Sequence, residues 1–333
     1  MTIKLGINGF GRIGRSTLRA LAESGRKDVE IVKLNATGPI ESNAHLFRYD
    51  TVHGRFKGDV KINGDTIDIG RGPIKVQSSR NIADLDWSGI DVLLECTGKF
   101  NSIEEATPHL KQGAKKVLLS APGKTAHKTV VYGVNHDVLT KEDTIVSNAS
   151  CTTNCLAPVA YVLDRVFGIE RGFMTTIHSY TGDQPTLDRM HKDLFRARAA
   201  AASMIPTTTG AARAVGIVLP RLKGRLDGSA VRVPTPNVSL VDLKAILKTR
   251  TSVELINAAM KKAAEGELKD VLGYNTEPLV SVDYVHDPHS SIFAAEQTDL
   301  MDGNLVRIMA WYDNEWGFSY RMLDTAAVMG KLK

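Results

Sequence analysis

The sequence predicts an α/β chain of two domains. Residues 1–150 should form a doubly wound parallel sheet. Residues 151–315 should form an α+β domain with a largely antiparallel sheet, and a last helix, 316–333, should return to the first domain. Three observations carry this reading. The chain has 333 residues, enough for two domains at roughly 100–200 residues each. Up to residue 150, short apolar strands alternate with helical segments, the pattern of a parallel sheet covered on both faces. Beyond it, longer strand runs follow one another with few crossovers, which suits an antiparallel sheet.

The elements follow in order. Ile3-Lys4-Leu5-Gly6-Ile7-Asn8 reads as a strand. From Arg12 to Ser24, Ile13, Leu18 and Leu21 fall at helical spacing, and Gly25 ends the run. Residues 29–34 form a second strand. Residues 55–79 carry Gly58, Gly64, Gly70 and Gly72 between short alternating segments, which suggests a small antiparallel insertion. A strand over 92–96, a helix over 103–112 and strands over 117–120 and 129–132 complete the first domain. A helix over about 151–167 opens the second domain; strands are expected over 173–180, 231–247, 279–285, 292–298 and 305–312. Between them, residues 181–210 make a long irregular stretch, and loops of that length are usually functional. Residues 316–331 are helical again.

Composition narrows the function classes. Hydrophobic residues make up 43% and charged residues 24% of the chain, a globular balance that argues against disorder. No apolar run approaches the ~18 residues that span a bilayer. The first residues enter a strand pattern at once, leaving no room for a signal peptide. Three cysteines in so long a chain are no disulfide framework, which points to a reducing cytoplasm. The 42 basic and 37 acidic side chains leave a charge of +5. That balance favours small anionic molecules and lacks the clustering of a nucleic-acid binder.

Gly9-Phe10-Gly11-Arg12-Ile13-Gly14 follows a strand and opens a helix. The first glycine permits the tight turn, the second lets the backbone approach a pyrophosphate, and the third lets helix pack on strand. The pyrophosphate then meets N–H groups at the positive helix end. In this strand–helix context the motif marks a dinucleotide site. An acidic residue about 20 positions on would bind the ribose 2′-hydroxyl of NAD. Here the second strand ends Leu34-Asn35-Ala36-Thr37-Gly38, without a carboxylate. Asn35 could serve NAD alone, yet Ala36 raises no barrier to a 2′-phosphate. NAD, NADP and dual use stay open, with dual use favoured.

Ser147-Asn148-Ala149-Ser150-Cys151-Thr152-Thr153-Asn154-Cys155 joins a strand to a helix. Ser150 suits an N-cap. Cys151 then sits in the first turn, where the helix dipole favours a thiolate nucleophile. Cys155, one turn deeper, and Cys96 are read as inert core thiols. Further ligands for a metal are not apparent near the cysteine pair, so no metal site is expected. A thiolate needs a base. Of nine histidines, His178 is the best candidate, at the end of the run Phe173-Met174-Thr175-Thr176-Ile177. His286-Asp287-Pro288-His289 reads as a structural turn, because Pro288 argues against a helical i, i+3 pair.

These motifs, with Tyr49-Asp50, His53-Gly54, Thr207-Thr208-Thr209-Gly210-Ala211-Ala212, Val231-Arg232-Val233-Pro234-Thr235-Pro236 and Trp311-Tyr312-Asp313-Asn314-Glu315-Trp316-Gly317, recur in one order. In that order the chain resembles the glyceraldehyde-3-phosphate dehydrogenase family, the phosphorylating glycolytic type, from end to end. The resemblance implies a Rossmann-type domain, a catalytic domain, a cytoplasmic homotetramer, and NAD or NADP as cofactor. It implies oxidation of D-glyceraldehyde 3-phosphate with inorganic phosphate to 1,3-bisphosphoglycerate, through a thioester on Cys151, with His178 as base. Thr181 and Arg232 then match the site for the substrate phosphate; Ser150, Thr152, Arg196, Thr209 and Gly210 match that for inorganic phosphate. Arg12, Ile13, Arg80, Thr97 and Ser120 match cofactor contacts, and Asn314 matches the residue that holds the nicotinamide carboxamide.

Three departures stand out. Members that use NAD usually carry Asp where Ala36 stands. They often have Leu-Pro where Arg189-Met190 stands. Thr37 and Arg189 are therefore the residues here that could meet a 2′-phosphate. Phe195 replaces the first arginine of a usual Arg-Arg-Ala-Arg run, leaving one cation fewer beside the phosphate site. Two rival readings are a sister erythrose-4-phosphate dehydrogenase and a non-catalytic nucleotide-binding protein. The first usually lacks the Thr-Gly-Ala-Ala segment and the threonine at position 181, both present here. The Cys151–His178 constellation argues against the second.

Overall fold

The computed structural model describes residues 2–332. They divide into two compact units: residues 2–132, 136–150 and 319–332 in one, residues 133–135 and 151–318 in the other.

The first unit is built on a nine-stranded sheet. Its parallel part runs, edge to edge, through Lys128–Thr129, Ile145–Ser147, Lys116–Leu119, Val92–Glu95, Ile3–Asn8, Val29–Asn35 and Pro73–Gln77. The central strands Val92–Glu95 and Lys116–Leu119 are buried along their whole length, as a sheet covered on both faces requires. The expected insertion is present: Lys61–Asn63 and Thr66–Asp68 add antiparallel strands beyond Pro73–Gln77. The C-terminal helix Trp316–Lys331 is tied into this unit by its last turn. Buried Lys116 donates from Nζ to the carbonyls of Met329 (3.0 Å) and Leu332 (2.9 Å), a cation where a helix ends in carbonyl oxygens.

The second unit carries an eight-stranded sheet. Its main path is Ile205–Thr208, Leu226–Val233, Ile169–Ser179, Ser239–Leu247, Leu305–Tyr312, Ser291–Ala294 and Leu272–Asn275. The pairings are antiparallel except those of Ile169–Ser179 with Leu226–Val233 and of Leu272–Asn275 with Ser291–Ala294. The helix Cys151–Phe167 packs on this sheet, with Cys155, Leu156, Val159 and Leu163 all buried.

Two expected strands differ. The run 231–247 is two strands, Leu226–Val233 and Ser239–Leu247, on opposite sides of Ile169–Ser179. Pro234 and Pro236 cannot donate to a ladder, and Val238 takes φ +66°, so the chain leaves the sheet between them. The segment 279–285 is a short helical turn, Ser281–Tyr284, and no strand. The Asp283 carboxylate accepts the Val280 N–H at 2.8 Å, and Tyr284 stacks on Trp311 with ring centroids 5.4 Å apart. Within the long loop, Ile205–Thr208 does form an edge strand.

Candidate active site

In the first unit a cavity of about 590 Å³ opens at the glycine turn. Gly9, Phe10, Gly11, Asn35, Thr37, Arg80 and Thr97 line it, as does Ala36. The glycines do what the motif requires. Gly9 takes φ +94°, and a Cβ there would lie 2.8 Å from the Thr97 backbone nitrogen. A Cβ on Gly14 would lie 2.2 Å from the Gly9 carbonyl oxygen, so only glycine lets the helix close on the turn. A Cβ on Gly11 would meet nothing within 4 Å, so bare backbone faces open space, where a pyrophosphate could approach. Gly11 precedes the helix Arg12–Glu23 and offers no side-chain cap, which leaves its first-turn N–H groups to an anion. The residues present therefore fit a dinucleotide.

Four residues expected at the cofactor, Arg12, Ile13, Gly14 and Ser120, lie outside the wall of this cavity. The Arg12 guanidinium pairs with Asp50, one contact being Nη2 to Oδ1 at 3.1 Å. Burial raises the Asp50 carboxyl, but Arg12 and the N–H groups of His53 and Val52 outweigh it and hold it at about 2. Asn35 lines the cavity but spends its amide inward. Its Nδ2 donates to Asn8 Oδ1 (2.8 Å) and the Ser79 carbonyl (2.9 Å), and its Oδ1 accepts the Ser79 N–H (3.0 Å). It steadies the turn, and its Oδ1 keeps one lone pair beyond the bond from Ser79.

Below this wall lies a buried polar chain that the sequence does not betray. The Trp87 indole N–H donates to His109 Nδ1 at 3.1 Å, which places the His109 proton on Nε2, 3.1 Å from Glu95 Oε2. Glu95 in turn accepts Asn8 Nδ2 (2.5 Å), the Thr97 N–H (2.8 Å) and the Thr97 hydroxyl. Asn8 and Thr97 thus stand on a fully hydrogen-bonded carboxyl group, as a buried polar group must.

In the second unit, Cys151 is the first residue of the helix Cys151–Phe167. Its Sγ lies 3.5 Å from His178 Nε2. His178 Nδ1 donates to the Ser179 carbonyl at 2.7 Å; a carbonyl only accepts, so Nδ1 holds the proton and the Nε2 lone pair faces sulfur. Tyr312 braces the pair. Its hydroxyl bonds Thr152 (2.8 Å) and Thr176 (2.9 Å), and its ring meets the His178 ring edge-on at 5.9 Å. The helix start alone argues for a thiolate, but burial pushes the Cys151 thiol up, against the pull of the Arg232 charge and of Thr152 hydrogen bonds. Burial, and then Arg232, lower His178 to about 3. In the protein by itself the pair is therefore a thiol facing a neutral imidazole.

Parallel pairing sets Arg232 beside His178. Arg232 Nη1 donates to Thr181 Oγ1 (2.7 Å) and to the Ser179 carbonyl (3.1 Å). Arg196 donates to Thr207 Oγ1 (3.0 Å) and to Asp183 (3.0 Å), and Asp183 also accepts the Thr181 hydroxyl. Asp183 was not foreseen. Burial, and then the Arg196 charge, weaken Arg232's hold on its proton, and the Asp183 carboxylate works against both. The other residues expected at the phosphate sites have contacts of their own. Thr152 turns its hydroxyl to buried Tyr312. Thr209 accepts the Ala211 N–H at 3.2 Å, and Gly210 precedes the helix Ala211–Val218 without a side-chain cap. Ser150 directly precedes Cys151. Arg189 is exposed in the long loop, and Asn314 is buried beyond the strand Leu305–Tyr312. At 286–289 the Asp287 carboxylate accepts both the N–H (2.8 Å) and Nδ1 (2.7 Å) of His289, a local turn. Among the described residues no group of three or more His, Cys, Asp or Glu could hold a metal, and no helix is long and apolar enough to cross a membrane.

Comparison with known proteins agrees with this arrangement. Residues 3–103 match the family model of the glyceraldehyde 3-phosphate dehydrogenase NAD binding domain, and residues 150–314 match that of its C-terminal domain. Glyceraldehyde-3-phosphate dehydrogenase of Xanthobacter flavus is 64% identical over 334 residues, covering 100% of both chains. That of Cereibacter sphaeroides is 64% identical over 332 residues, again covering 100% of both. That of Geobacillus stearothermophilus is 53% identical over 330 residues, 98% of each chain.

Proposed function

This chain belongs to the glyceraldehyde-3-phosphate dehydrogenase family, and from that premise we propose that Cys151 and His178 are its nucleophile and base. The protein is an NAD(P)-dependent phosphorylating dehydrogenase: it oxidises glyceraldehyde 3-phosphate with inorganic phosphate to 1,3-bisphosphoglycerate through a cysteine thioester. The observation that carries the assignment of residues is the 3.5 Å approach of Cys151 Sγ to an unprotonated His178 Nε2.

The chemistry divides among the chain's own residues. Nε2 of His178 takes the thiol proton as sulfur bonds to the aldehyde carbon, and returns it to the oxyanion. The backbone N–H of Cys151, at the helix start, stabilises that oxyanion. His178 takes the hydroxyl proton a second time as the thiohemiacetal is oxidised to the thioester. Bound NAD(P) supplies the hydride acceptor. Gly9, Phe10, Gly11, Thr37, Arg80 and Thr97 would hold it, with Asn314 at the carboxamide. A phosphate oxygen then bonds to the thioester carbon, the C–S bond breaks, and sulfur is restored. Arg232 and Thr181 hold the substrate phosphate; Arg196, Ser150, Thr209 and Gly210 serve the attacking one, as guanidinium forks and hydroxyls do. Formation of reduced cofactor should require both aldehyde and phosphate. If erythrose 4-phosphate without phosphate were turned over faster, the sister activity would replace this one.

Ala36 gives the cofactor preference its handle. It lines the cavity beside Thr37 and Arg80, so it places no carboxylate against a 2′-phosphate. We propose that both NAD and NADP are accepted. Ala36→Asp should lower kcat/KM for NADP by about tenfold or more through like-charge repulsion, and change that for NAD by less than about threefold. Initial rates with both cofactors decide this, and equal losses would refute the role of position 36.

We also propose a homotetramer in the cytoplasm. The long loop exposes Leu187, Met190, Leu194, Phe195 and Met204, with Met190 97% exposed, an apolar surface that further copies of the chain would cover. Cys96, Cys151 and Cys155 are all free thiols, in keeping with a reducing compartment.

A further inference from the structure

Three neighbouring strands of the second sheet end at one place. Ile169–Ser179 runs antiparallel to Ser239–Leu247, with Ile177 opposite Leu240, and Ser239 stands opposite Tyr312 on Leu305–Tyr312. The register therefore gathers Ser179, Ser239 and, two residues past Tyr312, Asn314. All three are buried, the serines completely.

Their hydrogen bonds run in one direction. Ser239 Oγ accepts the Ser179 N–H at 3.0 Å, and its own proton goes to Asn314 Oδ1 at 2.8 Å. Ser179 Oγ donates to the same Oδ1 at 3.0 Å. Both lone pairs of that amide oxygen are thereby filled, and the Asn314 side chain can present only its Nδ2 protons to a ligand. An unconstrained asparagine amide can turn over and offer oxygen or nitrogen alike. Here both buried hydroxyls aim their protons at the oxygen.

We propose that Ser179 and Ser239 are positioning residues that lock the Asn314 amide with Nδ2 outward, so that it donates to the carbonyl oxygen of the nicotinamide carboxamide. The proposal rests on the reading of Asn314 as the residue that holds that carboxamide. Ser179 has a second duty that the side chain does not share: its carbonyl accepts His178 Nδ1 and Arg232 Nη1. Removing the Ser179 hydroxyl leaves that carbonyl in place, so the amide lock is open to test by itself.

Two ligands separate the outcomes: NAD, and ADP-ribose, which lacks the nicotinamide. Their dissociation constants would be measured calorimetrically on the full-length protein for wild type, Ser179→Ala/Ser239→Ala, Ser239→Thr and Asn314→Asp. The double variant should weaken NAD about tenfold, the loss of a buried hydrogen-bond arrangement, and leave ADP-ribose within about twofold. Ser239→Thr, which keeps a hydroxyl, should stay near wild type. Asn314→Asp keeps an acceptor for both serines but loses the outward donor, so it should weaken NAD and spare ADP-ribose. If Asn314→Asp leaves NAD binding unchanged, the reading of Asn314 fails and takes the proposal with it. If Asn314→Asp weakens NAD while the double variant does not, the lock alone is refuted. Equal weakening of both ligands by the double variant would make the serines merely structural and also refute it.

Discussion

Cys151→Ser is expected to lower kcat by about 10⁴-fold or more, the scale seen when a covalent nucleophile is removed. Serine preserves the shape at the helix start, so cofactor affinity should stay near wild type and the loss should fall on the chemical step. The reason is the proton. A thiol can ionise against an imidazole 3.5 Å away, whereas an alcohol is far weaker as an acid, and an alkoxide is a poorer leaving group than a thiolate when phosphate attacks the acyl group. Initial rates of cofactor reduction, paired with a cofactor titration, measure both halves of this prediction.

His178→Asn comes next, with an expected loss in kcat of about 10²–10⁴-fold, the usual share of general base catalysis. Burial and the Arg232 charge hold the imidazole at about 3, so it is a neutral acceptor throughout the neutral range. Without it the Cys151 proton must leave for solvent. Burial already pushes that thiol up, so without a base beside it the sulfur loses its proton more slowly as it attacks at neutral pH. Alkylation of Cys151 by iodoacetamide should therefore slow at neutral pH in the variant and recover as pH rises. An unchanged alkylation rate at neutral pH would show that His178 does not take the thiol proton.

Much of the cofactor domain is legible in the sequence because its signals are local. The turn from Asn8 into Arg12 needs glycine at 9 and 14 for reasons confined to a few residues, and the distances at those positions are what the motif implies. The antiparallel insertion is likewise written in closely spaced glycines. Residues 231–247 mislead because strand-like apolar runs lie close on both sides of Pro234 and Pro236, and the strand change depends on Ile169–Ser179, a partner far earlier in the chain that lies between the two strands. Residues 279–285 mislead because a short apolar run has the same pattern in a strand and in a turn closed by Asp283.

At the site, Cys151 is marked by its place before a helix, but its meeting with His178 is tertiary, and sequence spacing alone leaves His178 one candidate among nine histidines. The family resemblance names the pair. It does not disclose Asp183 between Arg196 and Thr181, the inward-facing amide of Asn35, or the Trp87–His109–Glu95 chain. Each of those depends on side chains brought together across the fold, and none leaves a periodic or local trace.

The central claim is a covalent acyl group on one sulfur, and it can be weighed. The protein would be mixed with glyceraldehyde 3-phosphate and oxidised cofactor in the absence of phosphate, quenched in acid and digested for peptide mass spectrometry. A 3-phosphoglyceroyl thioester should be found on the peptide carrying Cys151, and it should disappear when phosphate is added before the quench. Turnover with Cys151 unmodified, or an acyl group on Cys96 or Cys155 instead, would contradict the account.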